Sequence, residues 1–281
     1  MLDCLIDGRP GRQLEVDSRA LNYADGVFET MRRCRGRLPF WPWHQARLRF
    51  GLAATGLQQP DWGELEKALE QLAPGAADCV VKLLVTACST GRGYGRAWPA
   101  AVSWVLSAHP LPPAKPSLRA GLSCEALGKA PSPQGLKRLA LTAQVRAQSL
   151  AEREGHDTAL IRDRLGRPVS FSQGSLLARH GECWLTPPLA HGALAGVTRA
   201  WLLSQTDVVA AVKPLTMENL LSADEVLFCN AVRGPVPVIE LDARRLPQGL
   251  RGPALMRRWL SLLNQPIVAL SDAGASALRP S

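Results

Sequence analysis

The segment Pro110-Leu111-Pro112-Pro113-Ala114-Lys115-Pro116 places four prolines in seven positions. Each proline ring fixes φ and removes an N–H, so neither a helix nor a sheet ladder continues through it. The chain is expected to fold as two parts joined here: residues 1–110, a linker over 111–117, and residues 118–281. A length of 281 residues also exceeds the commonest size of a single core.

Apolar patterning fills in the two parts. Leu2 to Ile6 followed by Asp7-Gly8 reads as a strand entering a tight turn, because Asp-Gly accepts positive backbone angles. Leucines 48, 52 and 57 predict a surface helix over 43–57, and leucines 65, 69 and 72 a second over 63–73. Residues 79–87 and 101–108 read as buried strands. After the linker come a strand near 119–126, a helix over about 138–154 ending at Gly155, and a hairpin of 158–161 and 168–172 turning at 163–166. Short strands are predicted at 176–179 and 182–186, and a helix from Val197 to about Gln205. Strands at 208–212, 224–230 and 235–240 and a helix over about 249–264 complete the pattern, with a frayed tail from Asn264.

Several classes of function are disfavoured. The net charge of +9 is spread over arginines such as Arg32, Arg33, Arg244 and Arg251. A nucleic-acid groove wants a basic stripe interleaved with aromatics, whereas dispersed charge suits a solvated surface or a small anionic substrate. Seven cysteines, an odd number without a C-x-x-C pair, read as buried thiols of a reducing compartment, not as disulfides or a zinc site. The five histidines show no metal spacing. The start, Met1-Leu2-Asp3-Cys4, has no basic segment leading into an apolar one, and no apolar run approaches membrane-spanning length. The expectation is a cytoplasmic protein that binds neither membrane nor metal.

Lys137 stands out, being one of six lysines among thirty-three basic side chains and lying at the head of the amphipathic stretch after a Pro/Gly-rich loop. A desolvated amine can lose its proton and bond a carbonyl carbon; guanidinium cannot. Lys137 is thus a candidate Schiff-base nucleophile. In Leu194-Ala195-Gly196-Val197-Thr198-Arg199 a glycine opens a predicted helix, so free N–H groups and the Thr198 hydroxyl offer an anion cup. Arg47 is a candidate to close that cup with a charge-assisted pair.

The order of these segments resembles the fold-type IV pyridoxal-phosphate enzymes, the class IV aminotransferase family, over nearly the whole chain. The similar blocks are Ile6-Asp7-Gly8, Asp17-Ser18-Arg19 through Tyr23-Ala24-Asp25-Gly26-Val27-Phe28-Glu29-Thr30, His44-Gln45-Ala46-Arg47-Leu48 and Gly91-Arg92-Gly93-Tyr94. They continue with Lys137, Gly196-Val197-Thr198-Arg199 and Ala223-Asp224-Glu225 through Cys229-Asn230-Ala231. An extra serine separates Asp17 from Arg19. Gly91-Arg92-Gly93-Tyr94 and Cys229-Asn230-Ala231-Val232, followed by Pro235-Val236-Pro237-Val238, look most like the aminodeoxychorismate lyases within that family.

The resemblance implies a small N-terminal α/β domain, a larger β-rich C-terminal α/β domain and pyridoxal 5'-phosphate as cofactor. It implies Lys137 as catalytic residue, with Arg47, Gly196, Val197, Thr198, Ser170, Asn230 and Ala231 holding the cofactor. Arg92, Tyr94 and Thr30 would meet a small anionic amino substrate. A homodimer is also implied, to which Trp41-Pro42-Trp43 could contribute, unless it lies in the core.

Three positions depart from the pattern. Counting from Gly166, Ser170 stands where the family has a glutamate facing the pyridine nitrogen, and Ser175 where it has an asparagine; Ala140 replaces an asparagine usual in the lyases. Without the carboxylate the ring is a poorer electron sink. Transamination leans on that sink most, whereas an elimination that forms an aromatic ring has its own driving force. The expected activity is therefore conversion of 4-amino-4-deoxychorismate to 4-aminobenzoate and pyruvate, a step toward folate. The alternatives are a D-amino-acid or branched-chain aminotransferase, or a weakened paralogue that acts as a binding module.

Overall fold

The computed structural model describes residues 3–73, 78–128 and 133–279. The chain forms two compact units: Met1–Pro112 with Leu136–Ala140 and Leu263–Ala269, and Pro113–Gly135 with Leu141–Leu262 and Leu270–Ser281. Residues 136–140 and 263–269 thus join the first unit, although sequence position groups both with the part after the linker.

In the first unit, β1 (Asp3–Ile6) turns at Asp7-Gly8, whose φ values are 47° and 77°, into β2 (Arg9–Pro10). Then follow α1 (Arg19–Tyr23), β3 (Gly26–Arg33), α2 (Trp41–Ala54), α3 (Trp62–Gln71), β4 (Cys79–Ala87) and β5 (Val102–His109). The strands form one antiparallel sheet in the order β2-β1-β5-β4-β3. Alternation gives the sheet two faces. Val27, Met31, Val81, Leu83, Val85 and Leu106 enter a core with Leu48 and Leu52 of α2 and Leu65 and Leu69 of α3. The opposite face carries the cross-strand rows Phe28-Leu84-Val105-Ile6, Thr30-Lys82-Ser107-Cys4 and Arg32-Val80-His109.

The helix over 43–57 begins two residues earlier and is core-packed on one side; Leu57 is buried just past its end. Trp43 is a core residue whose Nε1 donates to Val268 O at 3.1 Å, which ties residues 263–269 to this unit. Residues 137–139 do not open a helix. Phe28 N donates to Lys137 O and Leu139 N to Gly26 O, so the segment lies along β3. The Leu139 side chain fills the space over Gly26, where an added Cβ would lie 2.9 Å from its Cδ1.

In the second unit, β6 (Leu118–Leu127) is followed by α4 (Thr142–Arg153), β7 (Thr158–Asp163), β8 (Pro168–Phe171), β9 (Gly174–His180) and β10 (Cys183–Thr186). Next come α5 (Val197–Leu203), β11 (Ala210–Val212), α6 (Met217–Leu221), β12 (Glu225–Asn230), β13 (Gly234–Leu241), β14 (Arg244–Arg245), α7 (Arg251–Leu262) and α8 (Asp272–Leu278). The sheet runs β11-β10-β9-β12-β13-β6-β7-β8, and a further β8–β9 pairing closes six strands into a ring. The tail does not fray over 272–278: Ser271 caps α8 by accepting from Gly274 N, and Leu278 is buried. Among the described residues no helix is long and apolar enough to cross a membrane. All seven cysteines are free thiols.

Gly234 has a φ of 76°, and an added Cβ would lie 2.3 Å from Trp259 Cδ1. Trp259 is fully buried and packs edge-on against Trp201 at 5.3 Å. Positive φ and a rigid aromatic neighbour both oppose a side chain here. Gly234→Ala is expected to cost roughly 2–4 kcal/mol of stability in urea unfolding.

Candidate active site

In the first unit the site grows from β3 and α2. Glu29 faces α2, where His44 and Arg47, three residues apart, share one face of the helix. Arg47 Nε donates to Glu29 Oε1 at 2.8 Å and its Nη2 to Oε2, while His44 Nδ1 lies 2.7 Å from Oε2. Glu29 is only 1% exposed. Burial alone would raise its pKa, but the Arg47 charge and hydrogen bonds, with His44, hold it at about 2. His44 is pushed below the usual histidine range by burial, against the pull of Glu29.

Phe28, next to Glu29, points to the other face. Lys137 Nζ sits 3.9 Å from the Phe28 ring centroid. The residue as a whole is half-buried, but its amine is desolvated. Burial first, then the Arg47 charge, lower its pKa from 10.5 to about 7, with Lys82 acting in the same direction and Glu29 opposing. An amine so placed is substantially neutral at neutral pH and can act as a nucleophile and proton carrier.

The segment Gly91-Arg92-Gly93-Tyr94 is a surface loop held from below. Buried Arg19 bonds Asp25 Oδ2 and donates to Gly93 O and Tyr94 O, and Tyr23 Oη accepts from Gly93 N. Arg92 is exposed, and Tyr94 is 88% exposed with its ring edge-on to Tyr23 at 5.4 Å. Thr30 is half-buried and lies opposite Lys82 across the strand pair.

The second unit carries the anion cup. Gly196 precedes α5 and offers no side-chain cap; a Cβ there would lie 2.6 Å from Ser175 Oγ, so only glycine lets β9 come this close. Thr198 is 1% exposed, and its hydroxyl has no hydrogen-bond partner among the described residues. A buried unpaired hydroxyl is costly unless a ligand satisfies it. Ser170, 7% exposed, pairs with Ser175 across β8 and β9, and it is Ser175 that borders the cup. Ala231 follows Asn230, whose Oδ1 accepts from Val232 N and Arg233 N and whose Nδ2 donates to Gln173 O. These bonds leave Asn230 one amide N–H to offer a ligand.

Other motif residues serve the scaffold. Glu225, buried, accepts from Arg179 Nε at 2.8 Å and from Gly252 N at 2.7 Å, which places its carboxylate at the N-terminal end of α7. Asp224 accepts from Gly181 N. Arg199, buried and in no ion pair among the described residues, bonds Thr186 and Pro187 O, and burial lowers its pKa to about 10.

The first unit therefore brings Lys137, Arg47 and Thr30 onto neighbouring strand and helix positions, and the second brings Ser170, Ser175, Gly196 and Thr198 together. Glu29, His44, Arg19 and Lys82 escaped the sequence reading as site or scaffold residues. The His-x-x-Arg spacing on a helix was the signal for one of them, His44. The second unit's orphaned Thr198 hydroxyl and glycine-only approach at Gly196 fit a phosphate, and the first unit's low-pKa amine at Lys137 fits a carbonyl. Thr198→Val is expected to weaken cofactor binding about tenfold or more, through loss of a charge-assisted hydrogen bond. Thermal stability of the cofactor-free protein should stay equal or rise, since an unpaired buried hydroxyl is removed. Parallel fluorescence titration and melting measurements check both.

Comparison with known proteins agrees with this chemistry. The model of the class IV amino-transferase family matches residues 26–241. An aminodeoxychorismate lyase of Vibrio harveyi is 25% identical over 246 residues, covering 85% of this chain and 91% of that protein. The crystal structure of 4-amino-4-deoxychorismate lyase from Pseudomonas aeruginosa superimposes with a TM-score of 0.85 at 31% identity, over 92% of this chain and 98% of the other. The fold is shared with a branched-chain aminotransferase from Thermoproteus uzoniensis, at a TM-score of 0.83 and 24% identity, over 93% and 94% of the two chains. With a low-pKa lysine and an unsatisfied anion cup falling inside a family match that spans most of its length, this chain belongs to the class IV amino-transferase family and is a pyridoxal-phosphate enzyme.

Proposed function

We propose that the protein is an aminodeoxychorismate lyase, which splits 4-amino-4-deoxychorismate into 4-aminobenzoate and pyruvate on the way to folate. The observation that carries this reading is Ser170, a buried hydroxyl paired in register with Ser175, at the position where the family resemblance puts the carboxylate that serves aminotransfer. The relatives from Vibrio harveyi and Pseudomonas aeruginosa support the same choice. Pyridoxal phosphate supplies the electron sink for bond cleavage. A hydroxyl at Ser170 can bond an uncharged ring nitrogen but gives it no counter-charge. The sink is then weak, and the gain from aromatising the product ring makes up the difference.

Lys137 Nζ, neutral near pH 7, is the group that binds the cofactor and then takes and returns protons. Burial, and after it the charge of Arg47 that Glu29 fixes in place, lower the Nζ pKa so that it gives up its proton near pH 7. Thr198 and the N–H groups after Gly196 hold the phosphate. Arg92 and Tyr94, on the loop gripped by Arg19, and Thr30, on β3, are placed as substrate contacts.

The protein is further proposed to work in the cytoplasm as a homodimer. A second subunit would cover exposed apolar side chains such as Val16, Leu21, Tyr94 and Trp98. Light scattering should then give twice the chain mass.

Feeding 4-amino-4-deoxychorismate should yield 4-aminobenzoate and pyruvate in equal amounts. Alanine with 2-oxoglutarate should yield little pyruvate. The reverse pattern would make the protein a branched-chain or D-amino-acid type aminotransferase, as its likeness to the Thermoproteus uzoniensis enzyme would allow. A colourless protein that takes up no cofactor would favour a binding module.

A further inference from the structure

Lys82 occupies the centre of β4, between Thr30 and Ser107 on its two neighbouring strands. Its backbone is deep in the sheet and its side chain is half-buried. Directly paired residues share a face, so the rows around it are readable from the register. They contain Gly26, Phe28, Thr30 and Arg32 of β3, Val80, Leu84 and Thr86 of β4, Ser103, Val105, Ser107 and His109 of β5, and Cys4 and Ile6 of β1. None of these is a carboxylate. Glu29 belongs to the opposite face, where Arg47 and His44 engage it.

Among the described residues Lys82 makes no ion pair; its interaction is with the Phe28 ring, 5.4 Å from the amine. That ring also takes Lys137 Nζ at 3.9 Å. At its distance Lys82 gains about 1 kcal/mol or less from the ring, which does not replace the hydration a half-buried ammonium gives up. Among the described residues this ammonium sits in a strand row without an acid, beside the ring that also takes the reactive amine, and is open to an anion from a ligand.

We propose that Lys82 is a substrate-binding residue that receives a carboxylate other than the one nearest the reacting amine. Thr30 and Ser107 carry the hydroxyls flanking it, that of Ser107 also bonded to His109 Nε2 at 2.9 Å, and Phe28 is the ring that both amines approach. A planar six-membered ring with an amine at one end and a carboxylate at the other would offer its carboxylate to Lys82 while its amine meets Lys137, both groups lying by the Phe28 ring. The identity of this ring carboxylate rests on the lyase reading; the need for an anion at Lys82 does not.

The test uses the cofactor-loaded protein and two probes, 4-aminobenzoate and aniline, which differ only in the carboxylate. Affinities are measured by calorimetry for wild type, Lys82→Met and Lys82→Arg. The expected result is a clear wild-type preference for 4-aminobenzoate, a loss of tenfold or more in Lys82→Met for that ligand alone, and partial recovery in Lys82→Arg. Equal 4-aminobenzoate affinity in wild type and Lys82→Met, an equal loss for both probes, or no wild-type preference for the carboxylate would overturn the proposal. Turnover of 4-amino-4-deoxychorismate by wild type is followed separately, so failure of the lyase reading shows as absent product whatever the binding data give.

Discussion

Lys137→Ala should give a folded protein whose yellow colour is lost and whose turnover falls by at least about a thousandfold, the scale expected when a nucleophile and proton carrier is removed. Lys137→Arg should fail as completely, because a guanidinium stays protonated where an amine would not. The pH dependence carries a sign. An ordinary lysine at 10.5 reacts with aldehydes only in strong base, but desolvation and the Arg47 charge bring Lys137 to about 7. Cofactor uptake by the free protein should therefore rise with pH through 7 and level off above about 8. A rise that continues toward 10 would place the amine in open water.

Glu29→Gln should have the second-largest effect, and on stability first. It removes the Glu29 charge from beside the buried Arg47 guanidinium and leaves one acceptor oxygen where Arg47 Nε, Arg47 Nη2 and His44 Nδ1 now meet two. Breaking a buried pair from one side costs about 3–5 kcal/mol. Glu29 is held at about 2 in the fold against an ordinary value of 4.5. Its contribution is therefore fully present above pH 4.5 and is lost as pH falls toward 2, amounting to roughly 3 kcal/mol at neutral pH. Urea unfolding of wild type and Glu29→Gln should differ most at pH 7, with the gap narrowing by pH 3. The substitution should also lower the Lys137 pKa further, since Glu29 is the group that raises it. The onset of cofactor uptake in the variant should move to lower pH.

Much of the fold was legible because burial leaves a period in the sequence. The alternation of Val81, Leu83 and Val85 on β4, and the hairpin turning at Gly166 with a φ of 78°, are local signals that local structure obeys. Residues 137–139 were not legible as strand. Their amphipathic continuation into α4 favours a helix, but the backbone bonds of Phe28 N to Lys137 O and of Leu139 N to Gly26 O, with Leu139 packed against Gly26, hold them along β3 instead.

The tail was misread for a similar reason: its small residues offer little propensity, and the Ser271 cap with burial of Leu278 decides the matter. Within the candidate site, Lys137, Gly196 and Thr198 stood out as residue types suited to the tasks proposed for them. Glu29 was not, because its weight comes from partners fifteen and eighteen residues away that share its face only once α2 packs on β3. Lys82 was missed because one charge in an apolar strand has no meaning until the register shows that no acid faces it.

Borohydride reduction of the cofactor-loaded protein, followed by mass mapping of its peptides, tests the central assignment most directly. The expected result is a single modified peptide that contains Lys137, with Lys67, Lys82, Lys115, Lys129 and Lys213 unmodified. Label on Lys82 or any other lysine, or none on the whole chain, would contradict the assignment of the reactive amine to Lys137.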